Sequence, residues 1–284
     1  MRAYLQLIRH ANCSMAGLAA AIGVFIAYNI VNNNIDAASI PIPFLETALV
    51  FLTVFFVTGA GNAINDYFDV EIDAINKPSR PIPSGKIGLQ NALYFSLVLF
   101  VIGTITAFAI NLVCGFIALF NSLLLIYYAK TLKRTALFGN LSVGYLTGST
   151  FLFGGAVFFE NGGIEAVAIL FILSTMATIS REIVKDIEDM EGDAKDGAST
   201  LPIKIGARKS AYFAAMIGIV AVLASPVPYL QSMLSMRYLY IVAIADIFFA
   251  FAVFEILKRN NAAKSSSLFK KAMMFALLSF IIGA

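Results

Sequence analysis

Nine apolar runs divide the chain, at residues 12–31, 44–65, 90–110, 112–129, 138–159, 164–184, 210–230, 237–257 and 268–284. Each is close to the ~20 residues that a helix needs to cross the hydrocarbon core of a bilayer. In lipid only a helix or a closed barrel satisfies its own backbone hydrogen bonds. The runs lack the polar alternation of barrel strands, and the 25 Phe are spread along continuous apolar stretches, so helices are predicted. Composition agrees: 60% of the 284 residues are hydrophobic and 13% charged, at a mean hydropathy of +0.84, where soluble domains carry about a quarter charged residues. The third and fourth runs are parted only by a tight turn near Asn111, and short connections leave no length for a separate soluble domain. The expectation is an all-α integral membrane protein of nine transmembrane helices, a single domain over residues 1–284.

Charge sorts by loop. Nineteen of the twenty basic residues fall at the N-terminus or in the loops after the second, fourth, sixth and eighth runs, and only Arg237 falls opposite. Asp36, Glu46, Glu160 and Glu165 populate that opposite side. Cytoplasmic loops are enriched in Lys and Arg, which predicts a cytoplasmic N-terminus and, with an odd number of spans, an outside C-terminus. Met1-Arg2 leads into the first run like a signal anchor, but no small-residue cleavage site follows, so a retained helix is expected. A net charge of +3 argues against nucleic acid as a partner. Cys13 and Cys114 lie far apart in apolar segments and are expected to pack in the core. With His10 the only histidine, His-rich metal sites are excluded and a Ser-His-Asp triad is improbable, leaving carboxylates, lysines and metal to carry any catalysis.

Nine of the seventeen acidic residues lie in two clusters, Asn65-Asp66-Tyr67-Phe68-Asp69-Val70-Glu71-Ile72-Asp73 and Lys185-Asp186-Ile187-Glu188-Asp189-Met190-Glu191-Gly192-Asp193. At an offset of 120 residues both read D-x-x-D-x-x-x-D, and both run on into a proline-containing stretch, Arg80-Pro81-Ile82-Pro83 and Thr200-Leu201-Pro202-Ile203. This is an internal repeat, each copy ending an even-numbered span on the predicted cytoplasmic side, where the two can converge on one site. Residues three and four apart share a helix face, so Asn65, Asp69 and Asp73 form one column with Asp66 beside it. Asp186, Asp189 and Asp193 stack likewise. Like charges at that spacing repel, and a helix C-terminus is the wrong end for them. Mg²⁺ is the expected compensation, since it takes oxygen ligands and shares itself between carboxylates and substrate phosphates. The expected metal ligands are therefore Asn65, Asp66, Asp69, Asp73, Asp186, Asp189 and Asp193. With Lys77, Arg80, Lys86, Lys133, Arg134 and Lys185 around them, the clusters suit a diphosphate, and the membrane implies that the rest of the substrate is lipid-like.

Asn65-x3-Asp69-x3-Asp73 after the second span, Asp186-x2-Asp189-x3-Asp193 after the sixth, and nine predicted helices resemble the UbiA-type intramembrane prenyltransferase superfamily. The resemblance runs from Leu7-Ile8-Arg9-His10-Ala11-Asn12 to the ninth helix. It implies one helical bundle around a central, lipid-open cavity with two Mg²⁺-binding Asp motifs at its cytoplasmic mouth. It also implies an enzyme that ionises a polyprenyl diphosphate and joins the allylic cation to a lipid-like acceptor. Asp69, Asp73, Asp189 and Asp193 are then the expected catalytic residues. Asn12, Lys77, Arg80, Lys86, Tyr128, Lys133, Arg181 and Lys185 are the expected substrate-binding residues, with Lys130 competing with Lys133 as partner of Tyr128. His10 departs from the family, where proline often precedes x-Asn. Within the family the sequence is most similar to the archaeal branch that adds a second geranylgeranyl chain to geranylgeranylglyceryl phosphate; an aromatic quinone precursor is the alternative acceptor.

Outside the family, a secondary transporter would also show a pseudo-repeat, but with its site near the bilayer midplane. A CDP-alcohol phosphotransferase would need one continuous D-x2-D-G-x2-A-R motif, which the sequence lacks. Asp246, near the middle of the eighth span, either lines the cavity or pairs with a polar group on a neighbouring helix. Asn111, Asn121 and Asn140 are expected mainly as polar contacts between helices.

Overall fold

The computed structural model describes residues 1–34 and 40–284, so the expectation for Asp36 lies outside the described residues. The helices in chain order are α1 (Arg2–Ile8), α2 (His10–Asn34), α3 (Phe44–Phe68), α4 (Val70–Asn76), α5 (Leu89–Phe108), α6 (Leu112–Lys130) and α7 (Phe138–Ala156). They continue with α8 (Gly163–Glu188), α9 (Met190–Lys195), α10 (Leu201–Ile205), α11 (Ala207–Ala224), α12 (Val227–Leu230), α13 (Met236–Lys258) and α14 (Ala262–Gly283). Among the described residues the one β-type pairing is an isolated bridge between Thr135 and Ser199.

Among the described residues eight segments are long and apolar enough to cross a membrane: α2, α3, α5, α6, α8, α11 continued through α12, α13 and α14. The remaining predicted span, the fifth in chain order, is α7, a 19-residue helix that falls short in hydropathy. Five glycines, Asn140 and a scatter of Ser and Thr dilute its Leu and Phe, and Gly139, Asn140, Ser142, Gly144, Gly148 and Ser149 are buried, so protein shields its polar side. Large apolar side chains elsewhere stand exposed, Leu223 at 75% and Phe116 at 62% among them, as lipid-facing residues should.

The chain forms two compact units. The first comprises Met1–Tyr28, Ser39–Thr131 and Phe153–Gly163. Its core gathers Ile8, Cys13, Val57, Ala60, Ile64, Leu99, Phe100 and Ala129, with Leu7, Ala63, Ile82, Ile87 and Ala92 beside the loop after α4. α3 and α5 approach closely at Gly103, where a Cβ would lie 2.8 Å from Val57 Cγ2. The turn between α5 and α6 is as predicted: the Asn111 side chain caps α6 by accepting from Cys114 N at 2.8 Å and donates to Ala156 O at 2.8 Å. Both cysteines are buried and free.

The second unit comprises Asn29–Ala38, Leu132–Leu152 and Ile164–Ala284. Its core includes Ile179, Ile183, Leu201, Ala214, Phe249, Ile256 and Phe269. Hydroxyls join its helices: Ser180 Oγ donates to Ala214 O and Ser265 Oγ to Ala252 O, each at 2.8 Å. Asp246 is held by a neighbouring element, accepting from Ser225 Oγ at 2.7 Å, while Tyr238 OH donates to Ser225 O at 2.5 Å. Of the two readings open for Asp246, the pairing is what the structure contains.

Candidate active site

Each acidic motif begins inside a long helix and ends in a short one, with the break at the same position of the repeat. α3 stops at Phe68, Asp69 sits at φ −96°, ψ 9°, and α4 starts at Val70. α8 stops at Glu188, Asp189 sits at φ −91°, ψ 0°, and α9 starts at Met190. Both aspartates occupy the bridge region between helix and strand, a conformation common at active sites. Helical hydrogen bonds run across each break, from Asp69 N to Asn65 O (3.0 Å) and Asp73 N to Asp69 O (2.8 Å), and from Asp189 N to Lys185 O (2.9 Å) and Asp193 N to Asp189 O (3.0 Å). The sequence repeat is thus a structural one, and the spacing that puts the acids on one face survives the break.

In the first motif Asn65 Nδ2 donates to Asp69 Oδ2 at 2.9 Å. Asp66 and Asp73 are buried. Asp66 Oδ1 accepts from Arg9 Nη2 at 2.6 Å and Arg80 Nη1 at 3.0 Å, and Arg80 also pairs with Asp73. Arg9 lies between α1 and α2 in the left-handed conformation, at φ 54°, ψ 57°. Asn62 holds it there from two directions, accepting from Arg9 Nη1 at 3.2 Å and donating to Ile8 O at 2.8 Å. Cys13 Sγ donates to the same carbonyl at 2.9 Å. Arg80 is positioned by a loop anchored at its buried Ile82 and Ile87, with Arg80 N bonded to Lys77 O and Ile87 N to Pro81 O.

The second motif has a different environment. Asp186 Oδ2 accepts from Asn140 Nδ2 at 2.8 Å. Arg181 is paired with the neighbouring Glu182. Among the described residues no ion pair to Lys or Arg reaches Asp186, Asp189 or Asp193. Burial, followed by the nearby Asp189 and Asp196 charges, pushes the Asp193 carboxyl above the usual carboxylate range, and only Lys185 opposes this. Downstream, Ser199 N donates to Arg134 O at 2.8 Å, which ties the loop after α9 to the 3-10 turn Leu132–Arg134 that precedes α7.

Of the predicted site residues the structure joins Asn65 with Asp69, and Asp66 and Asp73 with Arg80. Lys77, Lys86, Lys185 and Asn12 are exposed, and Tyr128 and Lys133 are half-buried. At Asp66 and Asp73 the carboxylates also pair with two guanidiniums, because the chain returns Arg9 and Arg80 to the motif. Two participants are not legible as site residues in the sequence: Arg9 reads as one basic residue of the N-terminal stretch, and Asn62 carries no signal. Asn140, expected as a polar contact between helices, makes that contact from α7 to Asp186 on α8. Their positions depend on packing between segments more than 40 residues apart.

Among the described residues no three Asp, Glu, His or Cys side chains already form a metal cage. The donor set nevertheless fits Mg²⁺. Asn65 and Asp69 in the first motif, and separately Asp186, Asp189 and Asp193 in the second, offer hard oxygens, and Mg²⁺ normally takes one or two carboxylates and completes its shell with water and phosphate.

The model of the UbiA prenyltransferase family matches residues 19–279. Digeranylgeranylglyceryl phosphate synthase of Methanococcoides burtonii is 62% identical over 284 residues, covering all of both chains. A solved structure described as digeranylgeranylglyceryl phosphate synthase in membranes superposes with a TM-score of 0.84 at 46% identity, covering 99% of this chain and 97% of the other. A UbiA homologue from Archaeoglobus fulgidus bound to DMAPP and Mg²⁺ superposes at 0.70 with 16% identity, covering 98% of each chain, which is a likeness of fold.

Proposed function

The chain belongs to the UbiA prenyltransferase family, and from that premise we propose that it transfers a geranylgeranyl group from geranylgeranyl diphosphate to the free hydroxyl of geranylgeranylglyceryl phosphate, an ether-forming step of archaeal lipid synthesis. The observation that carries this reading is the full-length 62% identity to a digeranylgeranylglyceryl phosphate synthase. We further propose that residues 1–284 act as one domain of nine membrane helices, α7 included, around a central cavity. In this reading the Asp motifs and the N-terminus are cytoplasmic and the C-terminus is outside. The basic bias of the even-numbered loops supports that orientation.

A hydroxyl is a weak nucleophile, so the donor must come close to a free allylic cation before it is attacked. Mg²⁺, when bound, supplies positive charge to the departing diphosphate. Asn65 and Asp69 from the first motif, and Asp186, Asp189 and Asp193 from the second, are the residues that would hold it. Asp66 and Asp73 support the first motif through Arg9 and Arg80, which keep α3, α4 and the Arg80 loop in one geometry. Lys77, Lys86, Lys133, Arg181 and Lys185, with Tyr128 and Asn12, are proposed to bind the phosphates of donor and acceptor, oriented donors being worth most where charge develops. Apolar helix walls exclude the water that would otherwise capture the cation.

The test is the product. Purified protein with Mg²⁺ and labelled geranylgeranyl diphosphate, offered geranylgeranylglyceryl phosphate, 4-hydroxybenzoate and dihydroxynaphthoate, should label only the glyceryl phosphate, as an ether. Labelling of an aromatic acceptor alone would overturn the acceptor assignment.

A further inference from the structure

The two repeats can be superimposed in sequence beyond their acidic motifs, and the comparison exposes a missing charge. Arg9 immediately precedes α2 at φ 54°, and Leu137 immediately precedes α7 at φ 66°. Three residues on, Asn12 matches Asn140. At the motif offset of 120, Arg80 matches Thr200. The two positions that supply guanidiniums to the first motif are therefore uncharged in the second.

In the first copy two carboxylates, Asp66 and Asp73, face two arginines, so that part of the motif is neutral without any added ion. In the second copy no Lys or Arg is ion-paired with Asp186, Asp189 or Asp193 among the described residues, and the amide of Asn140 supplies the one side-chain hydrogen bond seen there. Asn140, which touches this copy, and Thr200, which follows it in sequence, each have a buried side-chain oxygen without a partner. Asn140 is 5% exposed and its Oδ1 is unbonded while its Nδ2 holds Asp186, and Thr200 is 3% exposed with an unbonded Oγ1. An unpaired carboxylate set beside a buried amide oxygen with no partner is a donor set that a cation would complete, because buried polar groups are costly without partners.

We propose that the motifs are unequal. The second, around Asp189 and Asp193, takes a divalent cation from the protein alone, with Asn140 as its positioning residue. The first, through Asn65 and Asp69, takes a cation only together with a diphosphate. The inference rests on the prenyl-transfer reading for the identity of the ion and of the diphosphate. Its consequence is an order of binding: one metal is resident, and the second arrives with the donor.

Mn²⁺ alone is the probe, followed by electron paramagnetic resonance on the full-length protein in detergent, without and then with inorganic pyrophosphate. Wild-type protein should bind one Mn²⁺ without pyrophosphate and a second with it. Asp189→Asn and Asp193→Asn should weaken the first ion by about tenfold or more, as should Asn140→Ala, whose amide orients a ligand. Asp69→Asn should keep the first ion and lose the second. Asparagine retains the capping preference of Asp189 at the start of α9, and unchanged gel-filtration and helix signals check folding in every variant. Loss of the pyrophosphate-free ion in Asp69→Asn, or its full retention in both Asp189→Asn and Asp193→Asn, would overturn the proposal. The same samples separate the two readings. Unequal binding with no conversion of geranylgeranyl diphosphate to an ether sustains this inference and defeats the functional one, and turnover with first-motif binding does the reverse.

Discussion

Replacing Arg80 by methionine should destabilise the protein by an amount that depends on the residue at 73. Methionine keeps the aliphatic stem, so what is lost is the guanidinium shared between Asp66 and Asp73. Asp66 still has Arg9 at 2.6 Å, whereas Asp73, with a side chain 6% exposed, has no other ion pair among the described residues. Stripping one partner from a buried pair costs about 3–5 kcal/mol. The Arg80 side chain is 21% exposed, so water already screens part of the interaction, and about 2–3 kcal/mol is the reasonable figure. In an Asp73→Asn background no charge is stranded, and Arg80→Met should cost under about 1 kcal/mol, a coupling near 1.5–2 kcal/mol. At about 2–4 °C per kcal/mol for chains of this order, the single variant should melt roughly 5–10 °C early and the double variant should recover much of that. The protein suits a thiol-reactive dye melt in detergent, because its two cysteines, Cys13 and Cys114, are free and buried and become reactive only on unfolding. If Arg80→Met costs as much in the Asp73→Asn background as in the wild type, the pair carries no energy. A raised donor KM without a change in melting would make Arg80 a diphosphate ligand, as the sequence suggested.

Turnover should stop in excess chelator and return with Mg²⁺ or Mn²⁺, and Asp69→Ala and Asp189→Ala should each lose most activity while extracting normally; full rates under chelation would remove the metal from the mechanism. The half-saturating Mg²⁺ concentration should fall as pH rises, because burial and the neighbouring Asp189 and Asp196 keep Asp193 protonated to higher pH than an ordinary carboxylate and only the ionised form binds metal. Asp193→Asn should weaken binding and flatten that dependence, checked by Mg²⁺ titrations at several pH values. Lys195→Cys should react with impermeant maleimide only after the membrane is opened, and labelling in intact cells would invert the topology. Asp246→Asn, which still accepts from Ser225, should change stability by about 1 kcal/mol or less and leave turnover alone, whereas a large loss of activity would return Asp246 to the site.

The sequence alone was enough for whatever depends on local composition and period. Continuous apolar runs located the long helices to within six residues at each end, since a run of about 20 residues has few other ways to satisfy its backbone in lipid. The D-x-x-D-x-x-x-D repeat located both motifs, since spacing by itself decides which side chains share a helix face. What neutralises those acids was not local. Arg9 reaches Asp66 from 57 residues away, through a left-handed residue that Asn62 holds in place, and Arg80 reaches back across a loop anchored by Ile82 and Ile87. By sequence the two motifs look alike. Only the tertiary structure gives one of them its arginines and leaves the other with an amide, because ion pairing depends on which chain segments packing brings within about 4 Å, and no periodicity along the chain encodes that.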